Sequence, residues 1–340
     1  MDDKSPQLDT AVIQGKSNCL HFFACQADKL MHTALPSHSR VLAVERYGTS
    51  SWASTARVDT ETPDGTKKAF FLKLLRADDG AERVLGEYMS MSEIYQTLPS
   101  IAPQPHGYGK CRDQDAHFFI CDYLPIDHEL PDPVRLGEKL AELHRKSESP
   151  TGQFGFHCVT FDGKLPLNTT WDSNWTSFFT RLIHDVYKLD VEVNGLWKEL
   201  DDAMQICLDK LIPRLLDPLT AEGRTIKPCL IHGDLWESNI GTDVQTGEIY
   251  IYDACTYYAH HEKEVGIWRC EHHQMFDEAY RDEYFKNFEP SEPIEEYDDR
   301  NRLYSIETLL INSAHFPGSV TRNRALNELH WLINKYSSDW

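Results

Sequence analysis

The 340-residue sequence predicts an α+β chain in two lobes, a small β-rich N-lobe with one helix and a larger, mainly helical C-lobe. Three observations carry that prediction. Apolar runs of strand length, separated by turn residues, crowd the first third of the chain. Apolar positions at helical spacing dominate the rest. Between the two regimes lies a proline-flanked linker, PIDHELPDP, at 125–133.

Taken in order, 41–47 and 54–60 read as strands joined by a small-residue turn at 48–51. Pro63-Asp64-Gly65 is a strong turn signal, and 69–75 is a third, apolar strand carrying one lysine, Lys73. The stretch 81–98 has Val84, Tyr88, Met91 and Ile94 near helical spacing and is ended by Pro99, Pro103 and Pro105. HFFICDYL at 117–124 is a further strand. The division between lobes is set here, with 1–124 as an N-terminal lobe (1–35 being an extension) and 125–340 as the C-terminal lobe. Asp132 then has the character of an N-cap with Pro133 in the first helical position. The chain beyond reads as helical except for a loop at 148–170 and the segment 230–260, where YIYD delivers Asp253 at the end of a short strand. This order is the two-lobed plan of protein-kinase-like folds.

Bulk properties narrow the function. A formal net charge of −20 disfavours nucleic acid as a partner, since that surface wants basic residues. No apolar run approaches the ~18 residues of a membrane span. The acidic, polar start MDDKSPQLDT is neither a signal peptide nor a basic transit sequence. Nine cysteines, odd in number and without CxxC pairing, suit reduced thiols and a cytoplasmic setting.

Phosphoryl transfer needs few covalent participants. It takes a base beside the attacking hydroxyl, metal ligands at the phosphates, and a cation on the phosphates that stay behind. LIHGDLWESNI at 230–240 puts Asp234 in the place of the base, and Asn239, five residues on, at the kinase-loop spacing of a Mg2+ ligand. Asp253 follows as the second metal-binding carboxylate, and Mg2+ favours such oxygen ligands. Lys73 is placed to pair with Glu87 on the following helix and so to stand at the ATP phosphates. Gly48, Thr49, Ser50 and Ser51 would cover those phosphates, although one glycine stands where G-x-G-x-x-G has three. Backbone groups at Asp122, Tyr123 and Leu124 are expected to hold adenine. Singly, each piece has an ordinary explanation as a strand-edge lysine, a solvated glutamate or a hairpin turn. Their joint order selects phosphoryl transfer with ATP and Mg2+.

HGDLW-x-x-N at 232–239, followed by YDACTYYAHHEKEVGIW, resembles the fructosamine/ketosamine 3-kinase family, relatives of the aminoglycoside phosphotransferases. That family reads HGDLW-x-G-N and then D-P-A-S-x-Y-G-H-x-E-x-E; Asp253, Tyr258, His260, Glu262 and Glu264 fall in register with the second pattern. FLK at 71–73, GE at 86–87, LGEKLAELH at 136–144, FGF at 154–156 and the N-x-x-W-x-x-x-W-x-x-F-F run at 168–179 match as well. The acidic stretch at 290–305 is similar to that of fungal members.

The resemblance implies ATP-dependent phosphorylation of the 3-hydroxyl of a ketosamine, on a small molecule or a glycated protein, with decomposition of the phosphorylated adduct. Under it, Trp236 either stacks on the substrate sugar or wedges the loop into the core. His260, Glu262 and Glu264 either hold the substrate's cationic amine or brace the loop. Ala254-Cys255 replaces Pro-Ala and Ala259 replaces Gly, without touching a liganding atom. Thr49–Ser51 stand where some members carry a reactive cysteine, so no thiol switch is expected there.

Two alternatives remain on the sequence. One is a kinase of the same fold for an aminoglycoside, choline or secondary metabolite. The other is an inert pseudokinase, which the presence of Lys73, Glu87, Asp234, Asn239 and Asp253 disfavours. His260-His261-Glu262 and His272-His273 are not expected to bind zinc, because helical neighbours point apart and HExxH spacing is lacking.

Overall fold

The computed structural model describes residues 34–35, 38–48, 50–111 and 115–339. They form two compact units. The first takes the described residues up to Tyr88 together with Gln104–Leu124; the second takes Met89–Pro103 and the residues from Pro125 on. The expected N-terminal extension lies outside the described residues except for Ala34 and Leu35.

The first unit is built on a five-stranded antiparallel sheet in the order β1-β2-β3-β5-β4. These are β1 Arg40–Arg46, β2 Ser54–Glu61, β3 Lys67–Leu75, β4 Pro105–Lys110 and β5 His117–Asp122. The β2–β3 turn forms as Pro63-Asp64-Gly65 demands, with Gly65 at φ 84° and its N–H donating to Thr62 O at 2.9 Å. Side chains alternate across a strand. Phe70, Leu72 and Leu74 therefore enter one cluster with Val58, Phe118 and Ile120, while Phe71 and Lys73 take the other face. β4 was not expected from PHGYGK, whose proline and glycines read as loop. It is an edge strand, where a missing N–H is tolerated.

Helix α1, Gly80–Thr97, runs from the first unit into residues grouped with the second. The grouping of 89–103 differs from a single cut after residue 124, and hydrogen bonds explain it. Thr256 N donates to Ser90 Oγ (3.1 Å), Tyr258 Oη to Glu93 Oε1 (2.7 Å), and Ile251 N to Ile101 O (2.7 Å).

In the second unit, helix α2 (Pro133–Lys146) starts as the sequence predicts: Asp132 Oδ1 accepts from Arg135 N at 2.9 Å and Pro133 opens the helix. It buries Leu136, Leu140, Ala141 and Leu143. Helix α3 (Trp175–Asn194) is capped by Asn174 and ended by Gly195 at φ 79°. Helices α4 (Lys198–Ile206) and α5 (Ile212–Leu216) are joined by a π turn in which Ile212 N reaches back to Cys207 O. Pro213, with no N–H to give, accounts for the lost helical register there.

Helices α6 (Glu278–Asn287), α7 (Tyr297–His315) and α8 (Thr321–Tyr336) complete this unit. Its strands are short. β6 (Ile126–Asp127), β10 (Ile240–Asp243) and β11 (Ile249–Ile251) form one sheet, β9 (Cys229–Ile231) pairs with β12 (Tyr257–Ala259), and β7 (Thr160–Asp162) pairs with β8 (Leu165–Leu167) inside the predicted loop.

Candidate active site

Within the first unit, Lys73 lies between Thr55 on β2 and Phe119 on β5 in the sheet register. Its Nζ is 2.8 Å from Glu87 Oε2 on α1, and both side chains are nearly buried. The expected pair is present, and a lysine so held keeps its charge in a fixed place.

The β1–β2 turn has Gly48 at φ 71°. Ser50 Oγ accepts from Trp52 N (3.3 Å) and Ala53 N (3.1 Å), so that hydroxyl braces the turn; Ser51 is exposed, and Thr49 lies outside the described residues. At the end of β5 lies the stretch expected to hold adenine. Asp122 N donates to Gln104 O (2.9 Å) and Tyr123 N to Ala69 O (3.2 Å). Two of the N–H groups in this stretch are thus occupied by the sheet, which leaves its carbonyls and the Leu124 N–H to the expectation. The Asp122 carboxylate is likewise engaged, by His106 at 2.6 Å and Lys68 at 2.7 Å. Against the upward push of burial, these partners hold it below its usual range.

In the second unit, β9 delivers the His232-Gly233-Asp234 loop. Gly233 has φ 91°, and a Cβ there would stand 2.6 Å from Cys255 O, so the loop can pass this close only as glycine. His232 is buried and neutral, since burial pushes its pKa down. Its Nε2 donates to Tyr252 O (3.0 Å) and its Nδ1 accepts from Asp234 N (3.3 Å), so the imidazole ties the loop to the chain just before Asp253. Trp236 N donates to Asp234 O and Asn239 N to Trp236 O, winding residues 237–239 into one tight turn. That turn brings Asn239 Nδ2 to Asp234 O (2.8 Å) and Oδ2 (2.9 Å). Pairing of β10 with β11 then places Asn239 beside Asp253, with Tyr252 N donating to Asn239 O at 3.0 Å. Asp234, Asn239 and Asp253 are brought together as the sequence predicts. Asp253 is exposed and sits at φ 63°, a left-handed conformation.

The Asp234 carboxyl is raised well above the usual aspartate range, by burial first and then by the charges of Asp162 and Asp253; Asn239 and Trp236 pull the other way. Asp162 is a site residue that the sequence did not reveal. It sits in TFDGK, whose Asp-Gly reads as a turn, and no spacing links it to residue 234. The β7–β8 hairpin puts it there. Thr160 Oγ1 donates to Cys255 O (3.3 Å), the carbonyl against which Gly233 packs, and Asp162 shares that strand face. His315 Nε2 is 3.1 Å from its Oδ1.

These residues suit a magnesium ion. The donors are both oxygens, namely the Asp253 carboxylate and the Asn239 amide oxygen (its Nδ2 being turned to Asp234). The repulsion between the Asp253 and Asp234 carboxylates is what a divalent cation relieves.

The acceptor-side assignments do not survive. Glu262 is fully buried and paired in bidentate fashion with Arg300, at 2.8 Å for each link. Glu264, also buried, accepts from His232 N (2.5 Å) and Gly233 N (3.1 Å), so it shapes the catalytic loop from behind. His260 is buried between Tyr304 Oη (2.9 Å) and Ser291 Oγ (2.8 Å). None of the three is exposed to an acceptor. Trp236 is half-buried and tilts against His273 with centroids 5.5 Å apart.

The expectation that His260, His261 and Glu262 point apart also fails. Their donor atoms lie within 4.8 Å of one another, and His260 is the extended N-cap of the 3-10 helix at 261–269, so the three do not share one regular helix. The Glu262 oxygens are nonetheless committed to a guanidinium, which is no neighbour for a metal ion.

Residues 32–334 match the family described as fructosamine kinase. A chloroplastic protein-ribulosamine 3-kinase of rice (Oryza sativa subsp. indica) is 28% identical over 259 residues, 76% of this chain and 71% of that protein. The structure of a putative fructosamine-3-kinase from Thermobifida fusca superposes with a TM-score of 0.71 at 22% identity, covering 91% of this chain and 98% of the other. A thermostable mutant of aminoglycoside phosphotransferase APH(4)-Ia, in ternary complex with AMP-PNP and hygromycin B, gives a TM-score of 0.58 at 16% identity over 87% and 94% of the two chains. The fold is the kinase-like α+β fold expected from the order of elements. No described helix is long and apolar enough to cross a membrane.

Proposed function

Because the chain belongs to the fructosamine kinase family, we propose that it is an ATP-dependent ketosamine 3-kinase, acting on ribulosamine or fructosamine adducts of free amines or proteins. Mg2+-ATP supplies the phosphoryl group and the cation that offsets its charge. Asp253 and Asn239 would hold the metal, and Lys73, fixed by Glu87, would meet the phosphates.

Asp234 takes the proton of the 3-hydroxyl. Positioned acid–base help of this kind is worth roughly 10²–10⁴-fold. The single observation that carries the reading is the two-point contact of Asn239 Nδ2 with Asp234, which aims one carboxylate oxygen while leaving the amide oxygen for metal. Phosphorylation at C3 destabilises the adduct, which then decomposes and frees the amine. A cytoplasmic setting belongs to this reading, since ATP is the co-substrate and the described cysteines are free thiols.

The test is ATP turnover on a ribulosamine, a fructosamine, an aminoglycoside and choline, with the phosphorylated oxygen located by phosphorus NMR. Transfer to O3 of either ketosamine is expected. Turnover of the aminoglycoside or choline alone would overturn the proposal in favour of another small-molecule kinase.

A further inference from the structure

Behind the catalytic loop, side chains of the second unit form a hydrogen-bonded chain from Trp175 to His144. Trp175 Nε1 donates to Tyr304 Oη (2.8 Å), which meets His260 Nδ1 (2.9 Å). His260 Nε2 meets Ser291 Oγ (2.8 Å), which reaches His261 Nε2 (3.4 Å). His261 Nδ1 meets Tyr284 Oη (2.9 Å), which meets His144 Nδ1 (2.8 Å). His144 Nε2 then stands 3.6 Å from Glu264 Oε2, the carboxylate that accepts from His232 N and Gly233 N.

The two ends of this chain fix its direction. An indole N–H only donates, so Tyr304 Oη accepts from Trp175 and its own hydrogen is free to go to His260 Nδ1. Burial drives the His260 and His261 pKa values well below the usual range, so each imidazole is neutral and carries one proton. The His260 proton is therefore on Nε2 and goes to Ser291, whose own hydrogen goes to His261 Nε2. The His261 proton is then on Nδ1 and goes to Tyr284, whose hydroxyl donates to His144 Nδ1. The proton of His144 is left on Nε2, facing Glu264. Glu264 Oε2, 3.6 Å from His144 Nε2, lies beyond hydrogen-bond reach, but its charge favours an N–H over a lone pair facing it, so the far end agrees in polarity with the near one. Reversing the links would leave the Tyr304 hydrogen with no acceptor in the chain and turn the His144 Nε2 lone pair toward the Glu264 carboxylate.

We infer that this chain is a positioning relay for the catalytic loop: it locks His144 as the Nε2–H tautomer, and His144 in turn holds Glu264 against the backbone N–H groups of His232 and Gly233, which set Asp234. None of its members touches substrate. It gives the His260-His261 pair a function other than metal binding, and it accounts for Ser291, whose hydroxyl bridges the two imidazoles from the loop after α6.

The functional half of this inference rests on Asp234 as the base; the tautomers do not, and they are read directly. In full-length protein labelled with 15N at histidine, His144 and His260 are expected as Nε2–H and His261 as Nδ1–H. Wild-type His144 protonated on Nδ1, or on both nitrogens at neutral pH, would overturn the relay whatever the enzyme phosphorylates.

Ser291→Ala, at a half-buried position, cuts the chain at its longest hydroxyl link. The His261 and His144 signals should lose their single-tautomer form, and kcat should fall at least tenfold with the KM for ATP within twofold. Ser291→Thr, which restores a hydroxyl, should recover both. Tyr284→Phe cuts the next link and should act on His144 in the same way. Unchanged tautomers in a folded Ser291→Ala protein, or a lost rate that threonine does not restore, would reduce these contacts to packing.

Discussion

Replacing Glu262 with glutamine should unfold this protein more readily without altering its choice of substrate. Glu262 and Arg300 are both 0% exposed. The Arg300 guanidinium makes two bonds of 2.8 Å to Glu262, one of 2.8 Å to Pro293 O and one of 2.7 Å to Ser291 O. Glutamine keeps the shape but removes the charge and turns an NH2 toward one guanidinium N–H. Arginine cannot shed its proton to compensate. Removing one partner of a buried pair costs about 3–5 kcal/mol. In a unit of this size each kcal/mol lowers Tm by about 2–4 °C, so a fall of about 6–20 °C is expected.

Calorimetric melts of the purified variant measure this directly. In parallel, kcat/KM for a ketosamine and for its uncharged ether analogue, taken well below both melting points, should fall by the same factor. The double change Glu262→Met with Arg300→Met should recover part of the loss, since a well-packed apolar pair often replaces a buried ion pair. A Tm shift under about 2 °C, or a loss confined to the charged acceptor, would refute the reasoning and return Glu262 to the acceptor side.

Asp234→Asn should cut phosphate transfer by roughly 10²–10⁴-fold while raising the Tm of the ligand-free protein. A carboxyl whose folded pKa is raised binds its proton more tightly when folded, so its ionised form destabilises the fold at neutral pH, a cost relieved only as pH falls through the raised value. A lower Tm in calorimetry would contradict this sign. Asp162→Asn removes a negative neighbour of Asp234, so the acid limb of kcat/KM against pH should move to lower pH; an unmoved limb would separate the two residues. Gly233→Ala places a Cβ against Cys255 O and strains a left-handed φ, a conformation that costs about 1–3 kcal/mol for non-glycine residues. Its kcat should fall at least tenfold, and wild-type kinetics would show that the loop adapts.

How much of this was legible in the sequence follows from how far apart the cooperating residues lie. β2, β3 and α1 announce themselves through apolar periodicity, and Asp132-Pro133 through local capping chemistry. The motif joining Asp234 to Asn239 spans five residues, so its spacing already contains its hydrogen bonds. β4 was hidden because Pro105, Gly107 and Gly109 deny it strand propensity, and only pairing with β5 makes it a strand.

The glutamates misled for a related reason. A run of charge reads as surface unless its partners are known, and Glu262 finds Arg300 at a separation of 38 residues, Glu264 the backbone of His232 at 32. Asp162 reaches the site only through a hairpin of three-residue strands, too short to leave a pattern.

The left-handed backbone at Asp253 has an evolutionary consequence. Residues that settle there with little strain are glycine, asparagine and aspartate. Of these only aspartate brings a charged oxygen ligand. A lineage released from selection for catalysis can thus exchange Asp253 for asparagine or glycine with its fold intact, arriving in one step at a silent binding protein. The backbone angle makes this the cheapest place to lose the activity, and asparagine or glycine at the matching position of a relative is the mark by which such a loss would be recognised.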